Sequence, residues 1–151
     1  MKPISVYLSD DHAHCDALFA DAENAVADAE WGQAILHFEA FKTATLLHFQ
    51  REEDLIFPEF ESRTGMYAGP TEVMRAEHLH LRDNLAAMEQ ALAGKDARTF
   101  LGVAEGLLML MRQHNMKEEQ ILYPMVDQAL ADDAAQLVES MRHLDTLTAA
   151  P

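Results

Sequence analysis

The chain is poor in everything that staples or punctuates a fold. Its single cysteine, Cys15, excludes a disulfide framework and any Cys-x-x-Cys redox or zinc motif. Only six Gly and five Pro interrupt 151 residues, and three Tyr and one Trp leave little of the aromatic content that favours strands. No stretch approaches the run of about 18 apolar residues that a membrane span needs. Cations are scarce too: 11 Lys and Arg stand against 26 Asp and Glu, a formal net charge of −15. That surplus argues against nucleic acid and anionic membrane surfaces as partners, because both would be repelled. The opening residues, Met1-Lys2-Pro3-Ile4-Ser5, carry one positive charge and no apolar run. They do not read as an ordinary secretory signal, and a cytoplasmic location is the expectation.

What is present is Ala, Leu and Met in abundance, with hydrophobic residues at 49%. One helical domain over 1–151 is expected, long enough for a real core. Apolar residues recur at three- and four-residue steps. The spacing predicts a first helix from about Val6 to Asp28, with Leu8, His12, Cys15, Phe19, Ala22 and Val26 on one stripe. A second runs from near Trp31 to about Glu61, with Phe38, Phe41, Thr45, His48, Glu52 and Leu55 facing inward. Ser62 to Gly65 and Gly69-Pro70 mark the main loop. A third helix, about Thr71 to Ala93, carries Met74, His78, Leu81, Leu85, Met88 and Leu92 at the same spacing. Gly94 ends it and Asp96 caps the fourth. The fourth reaches about Leu130, with Ala104, Leu107, Met111, His114, Glu118 and Ile121 inward. A short fifth helix, about Asp132 to Leu144, offers Leu137, Met141 and Leu144 to the bundle.

The chain also repeats itself. A shift of 66 residues lays His12 on His78, His14 on His80, His48 on His114, Glu52 on Glu118, Glu53 on Glu119 and Pro58 on Pro124. Two copies of a helical hairpin, about residues 6–61 and 71–130, account for this most simply. Each copy supplies a lone His on its first helix and a His-x-x-x-Glu-Glu…Pro segment on its second. His12 and His48 each lie 18 residues from a turn near Glu30. Roughly 27 Å of helix on either side therefore brings them level in an antiparallel pair. His78 and His114 repeat the arithmetic about Asp96, so all four imidazoles can share one layer.

A His and a Glu four residues apart share a helix face, one turn apart. Four imidazoles and two carboxylates in one dry layer are ruinous to bury uncompensated. Two cations compensate them, held by His12, His48, Glu52, His78, His114 and Glu118. With both carboxylates bridging, each cation gains two His nitrogens and two shared oxygens, and positions stay open for a small ligand. Mixed N/O ligation with open positions favours iron, or manganese, over structural zinc.

These residues resemble the hemerythrin-like, HHE cation-binding family. The resemblance runs from about Ser9 to Pro124 and rests on Asp11-His12, His48-Phe-Gln-Arg-Glu52-Glu-Asp-Leu-Ile-Phe-Pro58, the stretch from Gly69 to His78, and His114-Asn-Met-Lys-Glu118-Glu-Gln-Ile-Leu-Tyr-Pro124. It implies an up-down-up-down antiparallel four-helix bundle around an oxo- or carboxylate-bridged di-iron centre. Its small-molecule partners would be O2, peroxide or nitric oxide, in a stress or iron-centre-protection role. Carriers or sensors without turnover, and metal buffers, are alternatives the resemblance leaves open. The oxygen-carrying members have a second His where Arg82 stands, and an Asp where Glu119 stands. The six-ligand set therefore resembles the hemerythrin-like stress proteins more closely. Ferritin-type bundles use Glu-x-x-His pairs and more carboxylates, the reverse of the order here.

Other candidates carry less. His14 and His80 sit about 200° around their helices from the ligands and should face away. His37 and His143 lack any partner pattern and should be exposed. Cys15, one turn from His12, is a core residue or a redox contact; Tyr67 is a loop residue or an extra oxygen ligand. Tyr123 reads as packing, the Met residues as filler. Pro58 and Pro124 should kink their helices.

Overall fold

A computed structural model describes residues 2–149 in secondary structure, and the side chains of residues 2–144. Long helices α1 (Ile4–Ala27) and α2 (Trp31–Gln50) form the first hairpin; α4 (Pro70–Ala93) and α5 (Ala97–Lys117) form the second. Each second arm continues past its straight part. After α2 comes a wide turn, Arg51–Ile56, and then α3 (Phe57–Thr64). After α5 comes its counterpart, Glu118–Leu122, and then α6 (Tyr123–Ala129). A 3₁₀ turn, Ala131–Asp133, leads into α7 (Ala134–Ala149). The four arms make an antiparallel up-down-up-down bundle, and α7 lies against its α1/α2 side.

The repeat extends to the turns. Ala29 and Lys95, 66 residues apart, both take left-handed backbone angles, with φ of 55° and 53°. The same backbone bonds flank them, from Glu30 to Ala25 and from Asp96 to Ala91. Gly94 ends α4 as expected, and the left-handed residue of the turn is Lys95, one position later. Asp96 does cap α5, its side chain accepting from the Thr99 N–H. Gly65, at φ 74°, ends α3 where a side chain would strain the backbone.

Two apolar clusters fill the bundle, one on each side of a polar layer. Phe19, Phe38, Phe41, Leu85, Met88, Phe100 and Leu107 belong to the larger one, towards the hairpin turns. Ile4, Leu8, Ile56, Phe60, Leu122, Val126 and Met141 belong to the other, which Val138 and Leu137 of α7 help to close. Each fully buried side chain of this size contributes about 1.5–3 kcal/mol, so both clusters hold the layer rigidly between them. The fifth helix runs five residues beyond the expected Leu144, which is itself only half buried.

Of two expected core positions, one faces outward and the other reaches only the edge of the core. Leu55 is half buried and Ile121 is 59% exposed, while Ile56 and Leu122, one residue later, are fully buried. The wide turns explain this. Phe57 N–H bonds back to Glu52 and Tyr123 N–H to Glu118, five residues rather than four, so one extra residue enters each arm and the stripe advances by one. Pro58 and Pro124 follow directly and lack the N–H that would continue the regular ladder. The expected kink is thus a widened turn placed just before each proline.

Candidate metal centre

The layer between the clusters holds His12, His48, Glu52, His78, His114 and Glu118, each at most 5% exposed. They come from α1, α2, α4, α5 and the two wide turns, at the height the repeat arithmetic gives. Ring centroids are 4.6 Å apart in the His12/His48 pair and 4.9 Å in the His78/His114 pair. Phe49 stacks on His78 at 4.0 Å between centroids, fixing the ring from one side.

Each imidazole is held from behind through Nδ1. Glu119 accepts from His12 at 2.5 Å, Asp11 from His48 at 3.1 Å, Glu53 from His78 at 2.6 Å and Glu77 from His114 at 2.8 Å. A carboxylate at Nδ1 fixes the tautomer with the proton there and leaves the Nε2 lone pair free to face the layer. These four also obey the 66-residue shift: Asp11 lies on Glu77 and Glu53 on Glu119. Three are anchored in turn by cations. Arg51 bonds Asp11 at 2.5 Å, Lys117 bonds Glu77 at 2.5 Å, and Arg82 makes two 3.0 Å bonds to Glu53. Arg82, standing where the oxygen carriers have a further His, therefore grips the carboxylate behind His78.

The Nε2 atoms converge on the two buried carboxylates. Glu52 Oε1 lies 3.4 Å from His48 and 3.2 Å from His78. Glu118 Oε1 lies 3.1 Å from His12, 3.9 Å from His48 and 3.2 Å from His114. Each carboxylate thus faces both histidine pairs, and Glu119 points away onto Nδ1 of His12. Donor atoms of Glu52, His78, His114 and Glu118 fall within 4.8 Å of one another, as do those of His12, His48 and Glu118.

The fit to a cation is direct. Glu52 Oε1, His78 Nε2, His114 Nε2 and Glu118 Oε2 are buried without a hydrogen-bond partner, a costly state for any polar group. Lone pairs aimed at a common point are what a cation satisfies. The electrostatics agree. Burial and the charge of Glu118 push the Glu52 carboxyl above its usual range. For Glu118, burial is outweighed by hydrogen bonds from Glu52 and the histidines, which hold it well below. Burial alone would lower His48, yet the charge of Glu52 and the Asp11 hydrogen bond raise it well above the ordinary value.

A match to the family of the Hemerythrin HHE cation binding domain covers residues 4–126. The chain belongs to that family. No match was found among curated proteins or among solved structures. In this hemerythrin-like chain the buried His/Glu cluster is a group that could hold a metal cation.

The side residues sort themselves by position. His14, His80 and His143 are exposed, whereas His37 is half buried rather than exposed. Cys15 is buried, and burial pushes its thiol above the usual value. It lines a cavity of about 20 Å³ together with His12, Thr45, His48, Phe49 and Met111, directly beside the layer. Tyr67 is 63% exposed in the loop and does not cover the site.

Tyr123 is the residue that sequence reasoning missed. It is fully buried, with its hydroxyl 2.7 Å from Glu52 Oε2, 3.0 Å from Glu118 Oε1, 3.2 Å from His12 Nε2 and 3.5 Å from His48 Nε2. On an ordinary helix it sits about 140° from Glu118, five residues earlier. The wide turn removes that angle and brings it onto the same face. One signal was available: Tyr123 pairs with Phe57 across the repeat, so the second copy gained an oxygen.

Proposed function

We propose that this hemerythrin-like chain is a non-haem di-iron protein that binds or reacts with a small oxidant or diatomic ligand, such as O2, peroxide or nitric oxide. The likeness of its ligand set to the hemerythrin-like stress proteins supports a stress-response or iron-centre-protecting role. The observation that carries it is the set of orphaned, inward-facing donors on His78, His114, Glu52 and Glu118, matched across the layer by His12 and His48. Bound iron would supply Lewis acidity and one-electron redox change at a site shielded from water. Manganese is the second choice of metal for the same donor set.

The protein's own part is to hold and to exclude. With Asp11, Glu53, Glu77 and Glu119 accepting the Nδ1 protons, the Nε2 atoms are the ones left to give electron pairs to a bound cation. Glu52 and Glu118 each face both imidazole pairs and so can join two cations. The cavity beside His12 and His48, at about 20 Å³, has room for a water or a diatomic molecule and not for an organic substrate.

Metal analysis with an absorption spectrum of anaerobically purified protein tests the reading. About two irons per chain, with new charge-transfer bands after oxidation, is the expected result; a chain that refuses iron and manganese alike overturns it. Stopped-flow spectra under oxygen and peroxide then separate repeated peroxide loss from a stable reversible adduct, which would mark a carrier or sensor. Weakly held, freely exchanging iron would mark a metal buffer.

A further inference from the structure

The donors are unequal in number on the two sides. One group has four protein donors, Glu52, His78, His114 and Glu118, whereas the other has three, His12, His48 and Glu118. Tyr123 stands beside the poorer group. We propose that the Tyr123 phenol oxygen is a further protein donor of the His12/His48 half, beyond the two histidines and the shared carboxylates, binding its cation as a phenolate.

The distances carry this. Metal–donor bonds of about 2.1 Å put neighbouring donors about 3.0 Å apart around an octahedron and about 3.4 Å apart along a tetrahedral edge. The Tyr123 oxygen lies 3.2 Å from His12 Nε2, 3.5 Å from His48 Nε2 and 3.0 Å from Glu118 Oε1. It therefore stands to these three atoms as donors sharing one ion stand to each other. The His12 Nε2 to Glu118 Oε1 separation, 3.1 Å, belongs to the same set. A tyrosine that merely packed would bring carbon to the layer, as Phe57 does on the other side, where its ring lies 6.0 Å from that of His78.

The position is also fixed. Tyr123 is the first residue after the wide turn, and its own N–H closes that turn onto Glu118. It stacks on His12 at 5.6 Å between centroids, so its ring has little freedom to withdraw. On binding, the O–H bond would break with its electron pair turned to the cation, and the proton would be released, in exchange for the metal, from the hydrogen bond it makes to Glu52 Oε2, 2.7 Å away. No oxidant or reductant is needed. A hard, anionic oxygen also biases this half towards a trivalent ion.

The inference rests on the di-iron reading, and the test separates the two. Metal-free protein is loaded with iron, oxidised, and examined by visible absorption and by resonance Raman, with and without ring-deuterated tyrosine. The expected result is a tyrosinate-to-iron charge-transfer band with deuterium-sensitive ring modes. Y123F should lose the band, keep the first equivalent of metal, and bind the second at least tenfold more weakly. Two bound irons with no tyrosinate modes overturn the inference and leave the di-iron reading standing. Tyrosinate modes that persist in Y123F also overturn it. Failure of both proteins to bind iron removes both readings. Where Y123F is unstable, the labelled spectra of Y7F and Y67F decide the question: the band must survive both, and its loss in either overturns the inference.

Discussion

On the His78/His114 side of the layer, the Phe57 ring lies parallel to His78 and Arg82 closes on Glu53 with two bonds. On the His12/His48 side, the residues one repeat away are Tyr123 and Asp16. The backbone, the imidazoles, the carboxylates behind them and even the widened turns are shared. The differences lie in a hydroxyl gained and a guanidinium lost. Among the described residues no Lys or Arg forms an ion pair with Glu119, and its side chain is 42% exposed against 19% for Glu53. One half has a guanidinium clamp on its outer carboxylate and a groove of about 550 Å³ running past Glu77 and His114, while the other lacks that clamp and has a small cavity beside His12 and His48. The two hairpins thus share one container and differ in a few side chains at its two ends.

The largest expected effect removes what the halves share. Glu118→Ala leaves His12, His48 and His114 without the oxygen that faces all three, and Glu52→Ala leaves His48 and His78 likewise. Either variant should fall from about two metals per chain to one or none by elemental analysis, whereas exposed His14→Ala should keep both. Equal metal contents in all three would break the picture of one layer with two shared carboxylates.

Next in size is the register of the widened turns. Ile56→Ala and Leu122→Ala each empty a fully buried position, at about 2–4 kcal/mol of unfolding stability. Ile121→Ala, at 59% exposure, should cost under about 0.5 kcal/mol in the same denaturant titration. A regular helix predicts the reverse order for Ile121 and Leu122, so this pair measures the inserted residue in solution.

How far the sequence could be read follows from the same turns. Periodicity located the four arms, and the 66-residue shift placed six side chains at one height, because both depend only on helical rise and chain direction. The stripes failed at Leu55 and Ile121, since a four-residue rule cannot see a five-residue bond. Tyr123 was lost by the same error, being carried round the helix by an angle the wide turn cancels. Asp11, Glu53, Glu77 and Glu119 were visible as repeats. Their role was not, because which carboxylate meets which Nδ1 is decided by packing between arms: Glu53 reaches His78, and Glu119 reaches His12, across the hairpins.

The clamped half should suffer more from losing its outer carboxylate. Glu53→Gln removes the acceptor that fixes His78 and the partner of Arg82, so metal affinity in that half should fall about 10–100-fold. Glu119→Gln, half open to water, should lie at the low end of that range in a chelator competition. Glu53 also marks the pH dependence of the metal-free protein. Burial alone would raise its carboxyl, yet bonds from His78 and Arg82 and their charges hold it down to about 2. A depressed carboxyl stabilises the fold at pH values above its ordinary 4.5, and that contribution drains away as pH falls from 4.5 towards about 2. Glu53→Gln should flatten the acid-unfolding curve across this window, and an unchanged slope would show that Glu53 is not held as described.

The smallest expected effect comes from supplying what the unclamped half lacks. Asp16 stands four residues after His12, as Arg82 stands four after His78, so the two occupy equivalent places on α1 and α4. Burial raises the Asp16 carboxyl, and the charge of Glu119 raises it further, against the opposing pull of His12 and Arg112. The two acids therefore repel where their counterparts attract. Asp16→Arg replaces that repulsion by a guanidinium able to fork onto Glu119. Because this site is partly exposed, the gain should be no more than an ordinary surface pair, about 0.2–1 kcal/mol, or up to roughly fivefold in affinity for the second metal equivalent. Arg82→Asp should loosen the other half by a similar factor. If Asp16→Arg leaves the second equivalent unchanged while Arg82→Asp weakens the first, the clamp acts by excluding water from Glu53 rather than by its charge, and the greater exposure of Glu119 is then a matter of local shape.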